Sequence, residues 1–241
     1  MRYLIGSFAI VERVLRDRLA YFGEISRDEA LPAKIARLLT VTVLDLAIFG
    51  LVAGLNGEGE APALAQAARA MGLLPLVFLA GGLICLPTLY YFGMLFGARL
   101  RFLQTVTLIL TAQTVSAVLA LGCAPISLLF WLSGAGTSFL AWLNVSALGL
   151  SVALGLIFLV QGALYVHEAS PPEQLSFSQG LTLLIKGAGR SLVLLGWLGV
   201  YGAVVLQLGR TLCPFVVAPL GEHTFWHHLG DALLSLPGRG W

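Results

Sequence analysis

Three polar side chains stand in otherwise apolar surroundings: Asp45, Thr88 and Gln113. Each falls in a stretch long enough to cross a membrane, which needs about 20 apolar residues. Asp45 is the one acidic residue well inside such a stretch. Burying its charge in lipid is expensive, which makes it a candidate for function. On helices rising ~1.5 Å per residue, Asp45 and Gln113 fall within ~5 Å of one depth, and Thr88 comes near that level from the other direction. Pro87 adds an unbonded carbonyl, because proline cannot donate back to Leu83. The cluster fits a proton- or ion-handling site. It also fits an Asp45 carboxyl that holds helices together by hydrogen bonds. No basic residue lies at that depth, so the second chemistry is the expected one.

A second polar group is Glu222-His223-Thr224-Phe225-Trp226-His227-His228. On a helix, His223 and His227 are i and i+4, with Asp231 one turn further, a spacing that can hold a metal. A histidine there can also ligate a haem-like macrocycle. No glutamate sits between the histidines as in HExxH, which excludes a metalloprotease. The competing expectation is an interfacial tail with Trp and His at headgroup depth, so no cofactor is expected beyond bound lipid. The cysteines Cys85, Cys123 and Cys213 are odd in number and widely spaced, neither a disulfide framework nor a zinc pattern. Cys123 and Cys213 both fall toward the outer face and could pair if that compartment is oxidising. There is no P-loop, nucleophile elbow or dinucleotide fingerprint, and no enzyme is expected.

Small residues four apart form a third group. Gly50 and Gly54, Gly93 and Gly97, and Gly199 and Ala203 share this spacing. It lets helices approach closely, and internal packing is the expected use ahead of oligomerisation.

The elements that must position these groups follow from composition. Of 241 residues, 58% are apolar and 11% are charged, against about 25% charged in soluble domains. The chain is therefore expected to be an all-α, polytopic transmembrane bundle with one membrane domain. Five stretches read as spans: 38–56, 71–96, 103–121, 138–165 and 190–208. The apolar piece 125–132 is too short to cross; it extends the third helix past Pro125 or dips into the membrane. Residues 1–37 form an N-terminal segment in which Leu4, Phe8, Val11, Leu15, Leu19 and Phe22 recur at helical spacing. That pattern fits an amphipathic helix, lying on the membrane or packed on the bundle. Residues 209–241 form an outer-face tail with a second interfacial helix. Eleven Lys and Arg fall on the N-terminal side of this layout and three on the other. The positive-inside rule then puts the N-terminus in the cytoplasm and the C-terminus outside. The net charge of +2 gives no reason to expect nucleic acid as a partner.

The order of features resembles a family of bacterial multi-pass proteins of unknown function, some labelled "actin-binding WH2 domain-containing protein". The likeness rests on Leu86-Pro87-Thr88-Leu89-Tyr90, Phe96-Gly97-Ala98, Ala124-Pro125 and the turn Cys213-Pro214-Phe215. It covers roughly residues 10–220. No WH2-like motif is present, and family members often carry Arg where Cys213 stands. The resemblance implies a bacterial cytoplasmic (inner) membrane. Five spans with the N-terminus inside are also similar to Yip1-type membrane adaptors. The expected function is a non-catalytic accessory or scaffold subunit packed among lipids and other integral membrane proteins. A small transporter or channel using Asp45, and a Yip1-like membrane-organising adaptor, are the alternatives.

Overall fold

The computed structural model describes residues 12–14, 16–55, 62–95, 101–167, 199, 201–204 and 207. Five α-helices make up the described fold: α1 (Arg18–Ser26), α2 (Leu31–Leu55), α3 (Ala63–Leu95), α4 (Phe102–Leu132) and α5 (Thr137–His167). The last four are long and apolar enough to cross a membrane. Helices are the natural solution there, because every backbone group is bonded within its own segment. With 25, 33, 31 and 31 residues, α2 to α5 exceed the roughly 20 residues that cross the hydrocarbon.

Three helices run past the apolar stretches expected to cross, the third in the way already offered for 125–132. α2 starts at Leu31, so Lys34 and Arg37 lie in its first turns, ahead of the apolar stretch from 38. α3 starts at Ala63, because Gln66 and Arg69 are tolerated near its end. α4 runs unbroken through Pro125 to Leu132, so the piece 125–132 extends that helix. α3 likewise runs through Pro75 and Pro87, since proline is tolerated inside membrane helices. A turn with Gly134 at φ +77 then reverses the chain into α5. Of the expected span 190–208, residues 199, 201–204 and 207 are described, all of them helical. Tyr201 is buried among Cys85, Leu86, Leu108 and Ala112.

α4 is the hub of the bundle. From Gln104 to Ala117 nearly every side chain is buried, on all faces of the helix. A helix surrounded in this way cannot be amphipathic, and its polar residues must find partners inside. They do so on their own backbone: Thr107 donates to Leu103 O, Thr111 to Thr107 O, Thr114 to Leu110 O and Ser116 to Ala112 O. Two apolar clusters flank the hub. One joins α1, α3, α4 and α5 around Phe22, Cys85, Leu108 and Leu159. The other joins α2, α3 and α4 around Leu46, Phe49, Phe78 and Ala117.

Register follows from two contacts. Thr42 meets Thr114, and further along both helices Phe49, Val52 and Ala53 cluster with Ala117, Ala120 and Ala124, so α2 and α4 run side by side in the same direction. Gly50 lies on Ala70 and Gly54 on Ala67, so α2 and α3 are antiparallel. Asp45 is therefore level with the neighbourhood of Pro75 on α3 and Ala117 on α4.

The N-terminal helix is packed on the bundle. Its buried side chains are Val14, Tyr21, Phe22 and Ile25. Phe22 belongs to the expected stripe, while Leu4, Phe8, Val11 and Leu15 lie outside the described residues. Asp17 adopts φ −121 and ψ 51, which breaks the helix ahead of α1. The expected tail helix over 209–241 lies outside the described residues.

Candidate functional site

The charged end of the bundle is built around α1. Tyr21 Oη lies 3.2 Å from Thr111 Oγ1. Thr111 already donates to Thr107 O, so Tyr21 supplies the proton of this bond. Gln104 Nε2 donates to the carbonyls of Ile25 and Ser26 at 3.2 and 3.3 Å. These belong to the last turn of α1, whose carbonyls have no partner within the helix. Asp28 pairs with Arg101 across the junction. Glu24 bridges Arg13 at 2.9 Å and Lys34 at 2.8 Å, and the Lys34 ammonium lies 5.5 Å from the Tyr21 ring centre. The turn that joins α1 to α2 holds Asp28 at φ +58 and Ala30 at φ +50. The left-handed conformation costs a non-glycine residue roughly 1–2 kcal/mol, so the contacts around the turn must hold it in place.

Burial pushes the Tyr21 phenol up from 10.0 to about 12; the Thr111 hydrogen bond draws it back and Glu24 raises it. Between those two values the folded chain keeps a proton that the unfolded chain has lost, so stability falls as pH rises. Tyr21→Phe removes this linkage. Its stability should fall less steeply than that of wild type over this interval. At neutral pH it should start about 1 kcal/mol lower, for the lost hydrogen bond. Denaturant titrations in micelles across the alkaline range measure both effects.

The three intramembrane polar residues take separate partners. Thr88 is exposed, and its hydroxyl donates to Cys85 O at 2.7 Å, beside Pro87. Gln113 is buried and donates to Phe78 O at 2.6 Å and toward Tyr201 Oη at 3.4 Å. Gly82 makes this possible, since a Cβ there would collide with the Gln113 amide. Asp45 is 1% exposed, and among the described residues neither carboxylate oxygen has a hydrogen-bond partner. Leaving a buried polar group unpaired costs about 1–3 kcal/mol. A small cavity of about 10 Å³ lies between α4 and α5, lined in part by Gln113, Ser116, Gly155 and Tyr201.

The small-residue motifs divide as well. Gly50 and Gly54 form the contact between α2 and α3: a Cβ at Gly50 would stand 2.6 Å from Ala70 O, and one at Gly54 2.6 Å from Ala67 Cα. Gly93 lies in the last turn of α3. A Cβ on Gly199 would meet nothing within 4 Å, and Ala203 is exposed. Gly97, the Cys213 half of the expected pairing with Cys123, and the histidines His223 and His227 lie outside the described residues. Among the described residues no three of His, Cys, Asp or Glu gather as a metal site would.

Sequence reasoning missed Tyr21, Thr42, Gln104 and Thr114. The signal for Thr42 was available, since it stands one helical turn before Asp45. Comparison with protein-family models, with curated proteins and with solved structures found no match.

Proposed function

We propose that the protein is a non-catalytic adaptor or scaffold subunit embedded in a membrane, with a fixed charged head through which it meets other integral membrane proteins. The observation that carries this reading is the locking of α1. Tyr21, Gln104 and the Asp28–Arg101 pair tie the helix to the bundle from its middle to its end. A segment held in this way offers a partner a surface of constant shape, which lowers the ordering cost of binding. Arg13, Arg16, Arg18, Arg27, Lys34, Arg37 and Arg101 gather at this end, whereas Arg69 sits near the opposite one. This asymmetry supports a cytoplasmic head. Burial of Tyr201 beside α3 and α4 supports a fifth span over 190–208, with the C-terminus outside. The sequence resemblance supports a bacterial inner membrane, and architecture alone suggests the Yip1-like variant of this reading.

The test is the native mass after extraction from the protein's own membrane in a mild detergent. A particle holding other polypeptides in fixed ratio is the expected result. A 25.6 kDa chain that runs alone, or as a small homo-oligomer, overturns the reading.

One observation favours a second reading, a small transporter. Asp45 is buried, unpartnered and deep in α2, an arrangement that costs stability and calls for a use.

A further inference from the structure

We infer that Asp45 is a proton-binding site reached from the charged end of the bundle. The inference deepens the transport reading by naming its ligand, yet the site can exist without flux. Three features of the structure lead to it.

The first is packing. Val41, Thr42, Leu46 and Phe49 surround Asp45 along α2, and all are 0% exposed. A proton is the ligand that needs no added volume in such a setting, whereas a metal ion needs several oxygen ligands and room for them.

The second is a row of hydroxyls on one side. Tyr21 Oη meets Thr111 Oγ1 at 3.2 Å, and Thr42 Oγ1 meets Thr114 Oγ1 at 2.9 Å. Thr111 and Thr114 are one turn apart on α4, as Thr42 and Asp45 are on α2, and residues three apart are neighbours on a helix surface. The row thus leads from the charged head to within one turn of the carboxyl. On the other side the chain is sealed by Phe49 and by the backbone contacts of Gly50 and Gly54 with α3.

The third is electrostatic. The facing stretches 72–80 of α3 and 113–121 of α4 contain no titratable residue, and Asp45 is the one such residue between 38 and 49 on α2. The nearest charges on these helices by register lie toward the ends. Arg37 is eight residues inward, Lys34 is paired with Glu24, and Arg69 is exposed near the far end. Cys123 and Cys85, the thiols of α4 and α3, lie outside those facing stretches. Among the described residues no fixed cation compensates the carboxylate, so a proton is the ligand that neutralises it. Binding forms one O–H bond on a carboxylate oxygen, and release returns that proton toward water at the head. No other bond changes.

The test is infrared difference spectroscopy of the whole chain in lipid nanodiscs as the pH is stepped. Aspartate carrying ¹³C in its carboxyl marks the bands by their isotope shift. Wild type should show a protonated-carboxyl C=O band that exchanges with the carboxylate band, and Asp45→Asn should lack that pair. The double variant Thr42→Val, Thr114→Val should keep the band but relax about tenfold more slowly after a pH jump. Labelled wild type with no exchanging aspartate band beyond those kept by Asp45→Asn overturns the site, and the labelled spectrum reads out even if that variant misfolds. Unchanged relaxation in the double variant overturns the route. A titrating Asp45 in a protein that moves no protons across vesicles upholds the site and removes the transport reading.

Discussion

Gly50→Leu should abolish cooperative folding of the bundle, and Gly50→Ala should lower its stability by about 1–3 kcal/mol. The cause is where the new atoms would go. A Cβ on Gly50 stands 2.6 Å from Ala70 O and 3.0 Å from Ala70 C, both backbone atoms of α3. Backbone cannot rotate aside as a side chain can, so the two helices must separate. Separation is especially damaging in lipid. Helix association there gains little from the hydrophobic effect and rests on close van der Waals contact, which is lost within an ångström or so. Gly54 lies on Ala67 by the same geometry, so a shift at Gly50 also disturbs the contact one turn away. Gly72→Ala is the matched control: a Cβ there meets nothing within 4 Å. The better helix propensity of alanine, worth up to about 1 kcal/mol, should leave that variant at least as stable as wild type. Unfolding followed by tryptophan fluorescence in micelles measures all three. A Gly50→Ala protein that unfolds with Gly72→Ala would show that α2 and α3 do not meet at this seam. Spreading α2 from α3 would also open the packing around Asp45, so the variant links the seam to the proposed proton site.

Much of this architecture is written in composition and spacing. The long apolar runs mark four of the helices, and the Gly50–Gly54 pair marks a seam of α2. Less legible is what depends on where a helix changes phase or what it meets. The apolar spacing from Leu4 to Phe22 assumes one continuous helix, but the chain breaks at Asp17, and Val14, Tyr21 and Ile25 join Phe22 among the buried residues. Depth counting brought Asp45, Thr88 and Gln113 to similar levels, but depth does not fix the angle around each helix axis. Thr88 faces outward and spends its hydroxyl on its own helix, while Gln113 reaches across to Phe78 through the gap left by Gly82. Pairs such as Thr42–Thr114 and Gln104–Ile25 join residues more than seventy positions apart, and no periodicity within one segment reveals them.

Phe22→Ala should cost about 3–5 kcal/mol, the usual range for removing a buried phenylalanine, and should release α1 from the bundle. Phe22 is 2% exposed and fills the notch left by Gly162, where a Cβ would stand 2.7 Å from its ring and 2.8 Å from Leu108. Its ring also lies 6.5 Å from that of Phe158 on α5, tilted by 57°. The remaining ties to α1 are smaller. The Tyr21 and Gln104 hydrogen bonds are worth about 1 kcal/mol each, and the exposed arginine of the Asp28 pair makes that contact worth less still. They are also cooperative with the aromatic contact, because each needs α1 to lie at the depth that Phe22 sets. Loss of the ring should therefore loosen Tyr21 from Thr111 and relax the left-handed turn at Asp28 and Ala30. Proteolysis at Arg27, together with hydrogen exchange over 18–30, reads this release directly. The four long helices should keep most of their protection, since the cluster that joins α2, α3 and α4 does not involve Phe22. Equal protection of α1 in the variant and in wild type would mean that the head is held by something other than this notch. The same variant bears on function: if a fixed head is what partners recognise, its native particle should shed the other polypeptides while the bundle itself stays folded.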